Sequence, residues 1–394
     1  MNMQSSIWVL YLAYCGLHLA QIGLLEGIYH ATSIVCEIPS EAAADLWGRK
    51  RCMILSNLCI AVSCVIMLFS KSFGWFAVSF AVQALGNNLN SGSEEALVYD
   101  SMKCLGQEEH YMGVYGRLNV LIEVAQGFAT VAGGVLAEFS YFWCYAACVV
   151  IAVLALLPVL GMAEPPQCGK AADTAGRSAK DAPAEGTPAQ RTIWETVKHH
   201  FAVSACILQK DARIGKIIGF YSVVFAAHTL LFFYSQQYFA DFGYNKVQIS
   251  VIMLLVGGTS CLGALASAKM YRRFGKRCLI PKTVIIAAAI LCYGSEKAGV
   301  AAAALMCAGF ANAALYPVQS DSLNALIPSE QRATLISVDS MCFSIAMIVL
   351  FPLAGAFADR WGLKTVLLLF GAILLLFLLT VFCIEKESFS SDHS

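Results

Sequence analysis

Long apolar runs separated by short polar turns set the pattern of this 394-residue chain. Uncharged stretches occupy 52–70, 72–93, 140–162, 217–240, 247–268 and 365–384, and stretches with only a few charges occupy 22–44, 118–137, 278–295, 298–320 and 333–357. An α-helix rises about 1.5 Å per residue, so about 20 residues cross the ~30 Å hydrocarbon layer of a bilayer. Eleven segments of that kind predict an all-α, polytopic membrane protein. Residues 7–14 are apolar as well, but the ~14 residues before Gly16 reach only roughly 20 Å. They are expected to be a first helix that has lost its start. No Lys or Arg precedes Arg49, so the basic n-region of a cleaved signal peptide is missing.

Composition agrees with the pattern: 58% of residues are hydrophobic, 13% are charged and the mean hydropathy is +0.67. The net charge of zero says nothing about partners, whereas the distribution of basic residues does. If the loop at 45–51 is cytoplasmic and the loops alternate, only Lys71, Lys246, Lys297, Arg360 and Lys364 of the 26 basic residues lie outside. That bias is the one cytoplasmic loops show, and it suits contact with anionic lipid rather than nucleic acid. Most of the 16 cysteines sit inside spans and none forms a CxxC pair, so they are expected to be buried apolar fillers.

Residues 163–190 are rich in Ala, Gly, Pro and polar residues and cannot bury a core, which makes them a flexible linker. An interfacial helix is expected at 191–212. The resulting division is an N-terminal bundle at 1–162, a cytoplasmic linker at 163–212, a C-terminal bundle at 213–384 and a cytoplasmic tail at 385–394. The halves resemble each other. One constant, ungapped offset places Asp100-Ser101 on Asp321-Ser322, Gly134 on Gly355 and Glu138 on Asp359. Gly48-Arg49-Lys50-Arg51-Cys52 recurs as Gly275-Lys276-Arg277-Cys278. Parallel repeats joined by a polar linker are a transporter architecture, with the solute site near the midplane.

The segment Asp45-Leu46-Trp47-Gly48-Arg49-Lys50, in the loop after the second span, resembles the G-x-L-A-D-x-x-G-R-K/R motif of the major facilitator superfamily. Glu41 stands where the motif has its leading glycine. Ser91-Gly92-Ser93-Glu94-Glu95-Ala96-Leu97-Val98-Tyr99-Asp100-Ser101 and Arg332-Ala333-Thr334 resemble a bacterial branch of that family with largely unassigned substrates. The resemblance implies two six-helix bundles related by a pseudo-two-fold axis. It also implies a cytoplasmic latch built from Asp45, Gly48, Arg49, Lys50 and Arg51, with which Asp100, Arg117 and Arg332 are grouped. A carboxylate such as Asp45 can pair with a helix N-terminus and with arginines. The basic residues can equally be charges that set topology beside lipid headgroups. Antiporters of the family carry an arginine in the fourth span and a Gly-Pro in the fifth, and this chain has neither.

A charge at mid-membrane costs roughly 2.5–3.5 kcal/mol on insertion scales, so polar groups in spans face protein or water. Three spans place such groups on one helix face at i, i+4, i+7, i+11 spacing. They are Glu26, His30, Ser33 and Glu37 in the second span, Gln83, Asn87, Asn90 and Glu94 in the fourth, and Asn119, Glu123, Gln126 and Thr130 in the fifth. Such stripes are either satisfied interhelical networks or the wall of a wet cavity. Proton coupling needs a carboxylate whose affinity swings between wet and dry surroundings. Glu123 is the first candidate, Glu26 with His30 the second and Asp339 the third. His228 and Gln236 in the seventh span, and Asn312, Tyr316 and Gln319 in the tenth, are expected to face the same cavity.

Neither Glu26-x-x-x-His30 nor His199-His200 has a third ligand at metal-site spacing, and no GxxxxGK[ST] phosphate loop occurs. No cofactor, metal or catalytic signature is expected, so the chain is not read as an enzyme. The expected protein is a monomeric, multi-pass secondary transporter of the bacterial cytoplasmic membrane, surrounded by lipid and moving a small solute, with the proton as driving ion. Efflux of an amphipathic or drug-like compound is the first reading and uptake of a polar metabolite the alternative. A non-transporting receptor or scaffold is the competing class.

Overall fold

A computed structural model describes residues 3–91, 93–164, 212–275, 279–295, 297–324 and 332–391. The linker and interfacial helix expected between 163 and 212 lie almost wholly outside these residues. Thirteen α-helices make up the described chain. The first part carries α1 (Trp8–Tyr14), α2 (Leu19–Trp47), α3 (Arg49–Phe69), α4 (Phe73–Asn90), α5 (Ser93–Cys104), α6 (Tyr111–Phe139) and α7 (Tyr141–Gly161). The second carries α8 (Ala212–Asp241), α9 (Lys246–Phe274), α10 (Leu279–Cys292), α11 (Ala298–Asn324), α12 (Arg332–Trp361) and α13 (Leu363–Ser391). Eight of them are long and apolar enough to cross a membrane, and Pro281–Cys292 in α10 adds a shorter apolar segment. The all-helical, multi-pass expectation is met.

The fourth span differs from its expected form. A single stripe from Gln83 to Glu94 presumes an unbroken helix, but α4 ends at Asn90 and Ser91 adopts extended backbone (φ −58°, ψ 131°). Glu94 therefore belongs to α5. The helical spacing carried no sign of this break, because Ser91-Gly92 is compatible with either conformation.

The chain forms two compact units whose boundaries fall inside helices, at His30/Ala31 in α2, Phe128/Ala129 in α6 and Cys144/Tyr145 in α7. In the first unit, α3 and α4 pack through small residues. Ser63 and Ser79 share a hydroxyl hydrogen bond of 2.9 Å, and a Cβ on Gly86 would stand 3.1 Å from Cys59 Cβ. Small side chains let membrane helices approach where lipid offers no hydrophobic drive for association. Large apolar side chains such as Leu58 and Val62 on α3 and Leu121 and Phe128 on α6 are exposed, as befits surfaces meant for lipid.

The second unit holds the chain start to His30, the segment Ala129–Cys144 and α8 to α13. Its α9 and α11 lie backbone to backbone. Gly263 abuts the Phe310 carbonyl, Thr259 Oγ1 donates to Met306 O at 3.0 Å, and Ser267 Oγ donates to Ala314 O at 2.8 Å. The same Ala314 oxygen accepts a 3.0 Å bond from Nζ of the buried Lys282.

The repeated turn at Gly48 and Gly275 has a backbone reason. Gly48 precedes α3 at φ +92°, ψ 150°, and Gly275 follows α9 at φ +56°. The Gly48 conformation is all but closed to residues with a Cβ, at a cost of roughly 1–3 kcal/mol. A Cβ there would also meet the Glu164 carboxylate at 2.6 Å. Gly48→Ala should therefore lower the thermal unfolding midpoint of the purified protein in detergent, whereas Gly74→Ala, with nothing within 4 Å, should not.

Candidate functional site

Polar side chains concentrate in three places, each within one compact unit. The first is the turn after α2. Arg49 donates through Nη1 to Asp100 of α5, and its backbone N–H donates to Oε1 of Glu164. Lys50 Nζ donates to Leu160 O at 2.8 Å. Two expected latch residues, Arg49 and Asp100, thus meet, and Glu164 joins them as a cap of the α3 N-terminus. That cap had no signal in the sequence, because it depends on where α7 ends. Arg51 is exposed, and Arg117 is exposed on α6 with no ion pair among the described residues. Asp45 and Arg332 lie in α2 and α12, but their side chains fall outside the described set.

The second place is the wall made by α2 and α12. Gly23 and Gly27, a Gly-x-x-x-Gly pair, bring α2 against α12: a Cβ on Gly23 would lie 2.6 Å from Phe351 O, and one on Gly27 would lie 3.6 Å from Pro352 Cγ. Glu26 and His30 are buried on this helix. Glu26 Oε1 is 3.6 Å from His30 Nε2, and His30 Nδ1 is 3.2 Å from Ser344 Oγ. The rings of Tyr29 and Phe343 stand edge-on to the imidazole at 5.4 and 5.6 Å. The Glu–His pair was legible from its i, i+4 spacing. Ser344, from a span distant in sequence, was not.

Further along α2, Ser33 donates to Asn88 Oδ1 at 2.9 Å, and Asn88 Nδ2 returns a 2.6 Å bond to Ser33 O. Asn88 stands beside the expected polar stripe of the fourth span rather than on it. Glu37, Gln83, Asn87 and Asn90 are half-buried, and Asn90 Nδ2 reaches Glu94 Oε2 at 3.2 Å across the break in that span. On α6, Asn119 and Glu123 are exposed and Gln126 is half-buried. Thr130 is buried against the chain start, 3.3 Å from Ser5 Oγ.

The third place is the facing pair α8 and α11 with the adjoining α12. Gln319 Nε2 donates to Asp339 Oδ1 at 2.7 Å, which joins two expected site residues. Gln236 Nε2 donates to Ser5 O at 3.0 Å. His228 Nε2, Gln236 Oε1, Asn312 Oδ1 and Gln319 Oε1 are buried without a partner among the described residues. Such atoms ordinarily cost about 1–3 kcal/mol each when buried without a partner. Tyr316 is exposed, with its ring 6.2 Å from Phe225. Tyr234 and Tyr238 are buried hydrogen-bonders, to Phe351 O at 3.0 Å and to Tyr293 O at 3.0 Å. A separate cavity of about 390 Å³ lies among Tyr14, Glu138, Tyr141, Gln237, Tyr244 and Lys246.

Known proteins bear on this geometry. The family model described as Major Facilitator Superfamily matches residues 1–295 and 283–392. An uncharacterized MFS-type transporter, YxaM of Bacillus subtilis (strain 168), is 20% identical over 379 residues, covering 95% of this chain and 90% of its own. Among solved structures, a mutant of the nucleoside transporter NupG superposes with a TM-score of 0.80 at 12% identity, over 97% of this chain and 96% of that one. The D-xylose–proton symporter superposes with a TM-score of 0.68 at 14% identity, over 95% and 91%. At such identities the structural likeness speaks for the fold alone.

Proposed function

The chain belongs to the Major Facilitator Superfamily, and from that premise we propose that this transporter moves a small polar solute together with protons. It is a secondary transporter and not an enzyme. We place its basic loops on the cytoplasmic side of a bacterial membrane, following the excess of Lys and Arg there. The reading rests above all on the buried Glu26–His30–Ser344 chain. A carboxylate and an imidazole within reach of each other on one buried helix face are the two side-chain types that carry protons in such a setting. Movement of α2 against α12 would change their surroundings. Glu123, the first candidate by sequence, is exposed on α6 and makes no comparable pair among the described residues.

The unpartnered atoms of His228, Gln236, Asn312 and Gln319 favour a solute rich in hydroxyl or amide groups. The nucleoside and D-xylose named for two structural neighbours are of that chemical kind. One observation favours the other reading, efflux of an amphipathic compound: Tyr221, Phe225 and Tyr316 form an aromatic run on the same α8 and α11.

The test starts with a thermal-stabilisation screen of the purified full-length protein against nucleosides, sugars and hydrophobic cations. Stabilising compounds are then carried into proteoliposomes under an inward proton gradient. Polar solutes should stabilise and accumulate. Stabilisation by hydrophobic cations alone would replace this reading with efflux, and flux indifferent to the gradient would remove the proton from it.

A further inference from the structure

Two short sequences sit at equivalent places in the repeat: Gly134-Val135-Leu136-Ala137-Glu138 ending α6, and Gly355-Ala356-Phe357-Ala358-Asp359 near the end of α12. Both lie in the second compact unit, and each grips the start of another helix. Glu138 Oε2 accepts from the Lys246 N–H, the first residue of α9, at 3.0 Å. Asp359 accepts from the first two N–H groups of α2, Leu19 at 2.9 Å and Ala20 at 2.8 Å. The glycine one turn earlier makes room for the approach. A Cβ on Gly134 would stand 2.9 Å from Lys246 O, and one on Gly355 would stand 2.6 Å from the Leu19 carbonyl carbon.

The receiving helix starts match as well. At α2 the His18 N–H donates to Gln21 Oε1 at 3.1 Å, and at α9 the Asn245 N–H donates to Gln248 Oε1 at 3.0 Å. Each helix therefore caps its preceding residue with its own glutamine and leaves its first N–H to a carboxylate from elsewhere; Asp359 also takes the second N–H of α2, whereas at α9 the Asn245 side chain takes the Gln248 N–H. The first N–H groups of a helix have no acceptor within it, and the helix dipole adds about half a positive charge there. A carboxylate is the natural partner. The arrangement is also reciprocal, because Glu138 comes from the first half of the chain and caps a helix of the second, while Asp359 does the reverse.

We propose that the two Gly-x-x-x-acid segments are one repeated closure, with Glu138 and Asp359 as gating residues that hold shut the end of the protein opposite its basic loops. For the cycle to open that end, both carboxylates must leave their helix starts together. The two contacts then behave as a single two-state element. This inference rests on membership of the transporter family and needs neither the proton nor the polar solute proposed above.

Hydrogen–deuterium exchange of the full-length protein in nanodiscs provides the test, with Glu138→Ala and Asp359→Ala measured separately. A coupled closure predicts that each variant raises amide exchange several-fold at both helix starts, around Leu19–Ala20 and around Lys246. Asp359→Glu should restore protection at both. Increased exchange only at the helix whose cap was removed would reduce the two contacts to independent caps and overturn the proposal. So would unchanged exchange at both. If an alanine variant does not fold, Glu138→Gln and Asp359→Asn give the same readout with the side-chain shape kept.

Discussion

Gly263→Ala is expected to destabilise the protein severely, although it adds a single methyl group. The new carbon would meet the carbonyl oxygen of Phe310, with the Phe310 carbonyl carbon at 2.9 Å and its Cα at 3.0 Å. Backbone cannot rotate aside as the end of a side chain can. Helices α9 and α11 would have to separate along a seam that also holds the Thr259–Met306 and Ser267–Ala314 hydrogen bonds. Overpacking typically costs about 1–3 kcal/mol, and loss of the neighbouring bonds adds about 1 kcal/mol each. Gly258→Ala on the same helix is the control, since nothing lies within 4 Å of its added carbon. It should be neutral or gain up to about 1 kcal/mol from helix propensity. Thermal unfolding of both variants in one detergent should separate them by many degrees. Equal midpoints would mean that α9 and α11 are not in this contact.

Glu26→Gln should uncouple transport from the proton gradient. One pH unit is worth about 1.4 kcal/mol, so a transporter moving one proton per solute can build about a tenfold accumulation from it. Glutamine keeps the size and hydrogen bonding of glutamate but neither gains nor loses a proton in the relevant range. Accumulation should fall to about unity, while exchange of labelled for unlabelled solute persists because the solute surface on α8 and α11 is untouched. His30→Gln should weaken coupling less, as it leaves the carboxylate in place. Glu123→Gln should leave accumulation near the parent level, its side chain having no partner like His30 among the described residues. Accumulation retained by Glu26→Gln and lost by Glu123→Gln would move the coupling site to α6.

The spans are legible from the order of residues alone, because hydrocarbon admits little besides apolar helices of sufficient length. The apolar run at 52–70 corresponds to Arg49–Phe69, and that at 247–268 to Lys246–Phe274. The repeated glycine turns are legible for a similar reason: one backbone geometry demands one residue type. Partners across the fold are not legible. Ser344 beside His30, Asn88 beside Ser33 and Glu164 beside Arg49 are each fixed by helix placement, and serine, asparagine and glutamate occur at many positions that do nothing comparable. The Gly23–Gly27 pair does carry a readable signal, since glycines four apart in an apolar helix mark close packing. It points to Glu26 and His30 as lying at a helix crossing.

The interruption at Ser91 has a mechanical consequence for α5. The unsatisfied carbonyls at such a joint are partly answered locally, by Ser91 N–H to Asn87 O and Ser93 Oγ to Leu89 O, both at 2.9 Å. Helix α5 is a 12-residue lever, about 18 Å long at 1.5 Å per residue. A tilt of about 10° at its root would carry the tip through roughly 3 Å, enough to break a hydrogen bond of ordinary length. Asp100 lies about two thirds of the way along that lever and would move about 2 Å for the same tilt, which would stretch its bond to Arg49.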